Sequence, residues 1–321
     1  MAKTLAFDQA PPGRDWERVR AGLWRRLDEQ GRPTGEVWRG WRQYGPRAGH
    51  YPDFFHYRRI ARMARAAESR FAQQLRGVGR TVGDIVRGIF DPSNPADPGW
   101  QQIEEALARY RGMLGPWAEA VAGRMLADIS RRDASGWHRL GLEIGRALKQ
   151  EVERAPTAQA MGQLHGYMVE QILKLPDDAS ERLRQSRAFS AEIVRQMRGP
   201  AEEAMVAGRR WEGLTRQVRE AGLHVQSSAN TVARTETARA ATTLQAVRAK
   251  HIGSELFQWL HTNDADVRPL HRELARRNVG FGMGIYRWDD PPLLDDDRPG
   301  LPGTIWNCRC WAMPVLPPVP E

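Results

Sequence analysis

The chain is 321 residues long, 41% apolar and 27% charged, with 48 basic and 39 acidic residues and a formal net charge of +9. That length allows two domains with real cores, and the absence of any run of about eighteen apolar residues excludes a membrane-spanning helix on sequence grounds. Residues 1–8 lack the apolar core of a secretory signal, and Cys308 and Cys310, the only cysteines, exclude a disulfide framework, so the expected setting is a bacterial host cytoplasm or a particle assembled there.

The charge is unevenly placed. From residue 226 onward there are 11 basic and 11 acidic residues, so the whole excess of +9 belongs to residues 1–225. All basic residues except Lys3, Lys149, Lys174 and Lys250 are Arg, whose planar fork suits phosphate and carboxylate partners. The arginines are spread rather than clustered. That favours solvated helix faces, and a GC-rich coding bias, over a dedicated nucleic-acid surface.

Residues 1–52 read as an arm with one short helix. Asp15 caps Trp16, Val19, Leu23 and Leu27 at helical spacing, and Gly31, Pro33 and Gly35 end the run. Trp38 and Trp41 follow as aromatic anchors, either for a small core or for another subunit.

Residues 53–222 read as helices. The first carries Phe54, Tyr57, Ile60, Ala64, Phe71 and Leu75 on one face. Its other face holds Arg58, Arg59, Arg62, Arg65 and Arg70, the candidate contacts to DNA phosphates; the ordinary reading is a solvated face. Gly77, Gly79 and Gly83 are expected to weaken the helix before a short one through Val82, Val86 and Ile89. A Pro- and Asp-rich loop spans 91–99. Helix resumes at Trp100 and is interrupted at Gly115-Pro116. Ser135 and Thr157 are expected caps of two further helices, the second stopping at Leu175-Pro176. Another runs to Met197, Gly199-Pro200 breaks the chain, and one or two more helices fill 201–221.

No strand-like alternation occurs before about residue 254. A helix over 231–250 precedes three short strand candidates at 254–260, 284–288 and 308–315, and a Pro-rich tail covers 317–321. The fold class expected is mainly α: an elongated helical N-terminal region, then a small α+β module over 225–316.

That module concentrates the chemistry. On a strand, Cys308 and Cys310 would face one side, and a disulfide between them would be strained. With His271 or His261, and Asp266 as a less favoured ligand, they form a candidate zinc site, although zinc cysteines usually stand about two to four residues apart. The alternative is two buried, inert thiols. Asp264, Asp266, Arg268 and His271 suit either acid–base chemistry or a turn held by side-chain bonds. Gly280 to Gly284 lacks the flanking elements of a phosphate cradle, and Asp295-Asp296-Asp297 reads as a solvated acidic loop rather than a cation site.

One ordered set of motifs resembles a known family. It comprises Ala233-Arg234-Thr235-Glu236-Thr237-Ala238-Arg239-Ala240, an aromatic strand, Asp266-x-Arg268-Pro269-x-His271, Pro291-Pro292, Pro302-Gly303 and Asn307-Cys308-Arg309-Cys310. This is similar to the C-terminal domain of the phage Mu F-like minor head proteins, also called head morphogenesis proteins. The resemblance implies a minor capsid protein of a tailed-phage virion, inside the capsid near the portal. Its implied roles are head assembly and handling of packaged or ejected DNA. Its implied partners are the portal protein, the major capsid protein, or both, and packaged double-stranded DNA bound without sequence preference. The family's suspected metal positions fall on Asp266, His271, Cys308 and Cys310. Where many relatives have a Leu-Asp-Gly-like turn after the His, this chain has Leu274-Ala275-Arg276. A metal-dependent hydrolase or toxin-like enzyme using the Asp/His/Cys cluster is the alternative.

Overall fold

The computed structural model describes residues 16–20, 23–38, 54–143, 148–262 and 265–315. These residues are mainly helical, with a small three-stranded antiparallel sheet near the C-terminus, as the sequence predicts. The chain divides into two units. A helical unit comprises Glu68–Met125 and Leu164–Arg234; a mixed unit comprises Met1–Ala67, Leu126–Gln163 and Thr235–Glu321. No helix among the described residues is long and apolar enough to cross a membrane.

The arm holds a sheet where a short helix was expected. Strands β1 (Trp16–Arg20), β2 (Leu23–Leu27) and β3 (Pro33–Trp38) pair antiparallel in that order. The turn between β2 and β3 explains the difference. Asp28 Oδ1 accepts the backbone N–H groups of Gln30 and Arg32 at 2.9 and 2.8 Å, and Gly31 takes φ +74°. This is a three-residue hairpin loop with a left-handed glycine. Gly31, read from sequence as a helix stop, is the residue that reverses the chain. Trp41 lies outside the described residues.

Seven helices follow: α1 (Phe54–Ile89), α2 (Trp100–Met113), α3 (Gly115–Glu143), α4 (Leu148–Glu153), α5 (Ala158–Met197), α6 (Ala201–Arg219) and α7 (Ala221–His251). Helices α1, α3, α5 and α7 each contribute residues to both units. The breaks expected at Gly115-Pro116 and Gly199-Pro200 are present. Three other expected breaks are absent, each because packing outweighs a local signal.

Helix α1 runs unbroken through Gly77, Gly79 and Gly83. A Cβ on Gly79 would lie 2.7 Å from the backbone N of Gln226, and one on Gly222 would lie 2.6 Å from Gly83 Cα. These glycines let α1 and α7 touch backbone to backbone within the helical unit. Helix α5 runs through Pro176, which removes the N–H that Ile172 would have bonded, a loss of about 3 kcal/mol in an exposed helix. Pro176 is buried with Ile172, Leu175, Ala179 and Leu183, and that apolar burial offsets the loss. Ser135 lies inside α3 and donates to the Arg131 carbonyl at 2.9 Å instead of capping a helix.

The mixed unit adds β4 (Leu256–Leu260), α8 (Pro269–Leu274), β5 (Ile285–Arg287) and β6 (Trp311–Val315), with sheet order β5-β4-β6. The central strand β4 buries Leu256, Phe257 and Trp259. Its aromatics join Tyr286, Trp288, Leu274 and Ala312, together with Ala246 and Ala249 of α7, Ile252 just beyond it and Trp137 of α3, in one core. Arg248 of α7 forms a buried ion pair with Asp133 of α3, and burial pushes the Asp133 carboxyl up. The Gly-rich stretch is a hairpin tip, closed by Asn278 and Met283 and held by Asn278 Oδ1, which accepts from Gly280 N at 2.9 Å.

Candidate metal centre

The site is assembled by α7 gripping a loop. Thr242 Oγ1 donates to the Pro302 carbonyl at 2.8 Å, and Arg239 Nη2 donates to the Thr304 carbonyl at 2.9 Å. Thr235 Oγ1 accepts the Asn307 N–H at 2.9 Å. Gly303, at φ +85°, sits so close that a Cβ would lie 2.9 Å from the Cys310 carbonyl and 3.3 Å from Ala238 Cβ. Glu236 is fully buried and holds Arg239 through Nη1 at 2.9 and 3.2 Å. Burial pushes the Glu236 carboxyl up to about 7, against the pull of Arg239. About two turns of α7, from Thr235 to Thr242, thus fix the loop that ends in the two cysteines.

Cys308 and Cys310 lie just before β6 rather than on it. Each Sγ is 3.4 Å from Nδ1 of His271 on α8, and the three donor atoms lie within 4.8 Å of one another. The residues are 3%, 4% and 1% exposed, respectively. A hydrogen bond from the Cys310 thiol, with help from His271, holds the Cys308 thiol down at about 4 despite burial. The same bond, and burial, push Cys310 up. Trp259 packs edge-on against the imidazole, with ring centroids 5.2 Å apart.

These donors fit zinc. Thiolate and imidazole are its preferred ligands, and tetrahedral bonds of about 2.3 Å to sulfur and about 2.0 Å to nitrogen separate S and N by about 3.5 Å. Both observed separations are 3.4 Å.

Of the sequence candidates, the structure brings together His271, Cys308 and Cys310. Asp266 is exposed, 3.9 Å from Arg309, and His261 is half-buried; neither joins the group. On α1, Arg65 and Arg70 are exposed, while the side chains of Arg58, Arg59 and Arg62 lie outside the described residues. Asp295, read from sequence only as part of a solvated acidic loop, has its Oδ2 3.0 Å from Arg268 Nε and 3.5 Å from His271 Nε2. Sequence reasoning missed the α7 clamp as a clamp; the only signal was its place in the ordered motif.

Fold and site together define a mainly helical protein with a compact thiol–imidazole module at its C-terminal end. A family model described as Phage Mu protein F like protein matches residues 196–313. The match begins with the last residues of α5 and closes in β6, so it takes in α6, α7, the sheet and the whole cluster. It is the family the sequence resembles. No curated protein and no solved structure matches the chain.

Proposed function

We propose that this chain is a minor capsid protein of a tailed phage, built into the inner side of the head near the portal, with a zinc-stapled C-terminal module as its anchor. One observation carries the reading: Thr235, Glu236, Arg239, His271, Cys308 and Cys310 all fall inside the stretch that matches the Mu F-like family. His271 would hold the metal through Nδ1, and Cys308 and Cys310 through sulfur. A zinc ion bound there would crosslink α8 to the cysteine loop and so stabilise a small module. The positive excess upstream of residue 226 supports sequence-independent contact with packaged double-stranded DNA.

Three protein donors leave a fourth position, as catalytic zinc sites do, so a nucleic-acid hydrolase is the second reading. Burial of all three ligands favours the structural role. Quantitative mass spectrometry of purified heads, before and after DNA release and with the portal protein as reference, tests the assignment. The expected result is a fixed low copy number in full heads. Absence from heads, combined with zinc-dependent cleavage by the free protein, would replace it with the hydrolase.

A further inference from the structure

Two facts about His271 remain unused by the cluster itself. Its Nε2 is buried and has no hydrogen-bond partner, although Asp295 Oδ2 stands 3.5 Å away. A buried ring nitrogen without a partner carries a desolvation cost that nothing repays. The same Asp295 oxygen is 3.0 Å from Arg268 Nε, and Arg268 Nη2 donates to the Trp306 carbonyl at 2.9 Å. Arg268 thus ties the acidic loop to the loop that carries Cys308.

Resting on the zinc reading above, we infer that Asp295 is the outer carboxylate of this metal centre, with Arg268 as the residue that positions it. The two ring nitrogens of an imidazole point in divergent directions. Nδ1 faces both sulfurs, so a group on the Nε2 side cannot share their coordination sphere. Asp295 therefore acts on the ring and not on the metal. In the neutral imidazole that ligates through Nδ1, the proton sits on Nε2, facing Asp295. A carboxylate accepting a hydrogen bond from that N–H fixes the tautomer, holds the ring plane and strengthens Nδ1 as a ligand. Asp295 is itself exposed, as are its neighbours Asp296 and Asp297, but of the three only Asp295 pairs with His271. The effect belongs to one residue of the acidic run, not to its summed charge.

The test is zinc stoichiometry by elemental analysis and zinc affinity by competition with a chromophoric chelator, on the full chain. The variants are Asp295→Asn, Asp295→Glu, Asp296→Asn and Cys308→Ser. The wild type is expected to hold one zinc and Cys308→Ser to lose it. Asp295→Asn should bind about 10- to 100-fold more weakly, with Asp295→Glu recovering part of the loss and Asp296→Asn unchanged. Equal affinity in Asp295→Asn and Asp296→Asn would overturn the inference and leave the zinc reading standing. A wild type that takes up no zinc would remove both. If metal-free Asp295→Asn melts far below the metal-free wild type, Asp295 serves the fold alone and the inference fails.

Discussion

Glu236 is a buried carboxyl whose protonation is linked to folding. Its value rises from the ordinary 4.5 to about 7 in the folded chain, chiefly through burial. Between those values the native state binds more proton than the unfolded one, so stability falls as pH rises. The contribution is fully present below pH 4.5 and is lost as pH passes through 7, amounting to at most about 3–4 kcal/mol at roughly 1.4 kcal/mol per unit. Denaturant unfolding from pH 4.5 to 8 should show this decline, and Glu236→Gln should flatten it. A slope unchanged in Glu236→Gln would assign the pH dependence elsewhere. At this scale the sequence is legible where residue type carries chemistry: two thiols and an imidazole draw notice in any fold. Asp295 was not legible, because its meeting with His271 depends on how a loop 24 positions away returns to α8. Asp266 drew notice for its type and lies in solvent.

At the scale of elements, the glycines of α1 and α7 separate two effects that sequence merges. Gly77 has only the tip of Arg80 near its missing Cβ, at 3.7 Å, whereas Gly222 meets the Gly83 Cα at 2.6 Å. Gly77→Ala should stabilise the chain by about 0.5–1 kcal/mol through helix propensity. Gly222→Ala should destabilise it by about 1–3 kcal/mol, because two backbones must move apart. Urea unfolding of both variants gives the comparison, and a shift of the same sign in each would refute the close approach. Most helices, the strand β4 and the breaks at Gly115-Pro116 and Gly199-Pro200 could be read from periodicity and punctuation. Pro176, Ser135 and the glycines could not. Each carries a local signal to stop that burial or back-bonding overrides, and only the folded neighbours reveal it. The arm failed for a different reason. Four apolar residues at three- and four-residue spacing fit a helix, while the Asp28–Gly31 turn specified a hairpin.

At the scale of the whole molecule, charge and chemistry fall in different stretches of sequence. The excess of +9 lies upstream of residue 226 and the cluster lies beyond it. Binding of the full chain to duplexes of unrelated sequence should be equal and should weaken steeply with salt. Arg65→Gln with Arg70→Gln should make the log–log salt slope shallower by about 1 to 2, since each phosphate contact contributes about 0.9. Strong preference for one duplex would speak against a packaged-DNA role. The stretch that matches the family is not self-sufficient. Arg248 lies within 196–313, yet its buried partner Asp133 lies outside it, as does Trp137 of the aromatic core. A recombination event that swapped the gene at codon 196 would deliver an arginine to a recipient that has to supply the matching aspartate 115 positions upstream. Inheritance of this module is therefore tied to that of α3, and hybrids between diverged parents should be viable only when both segments come from one of them.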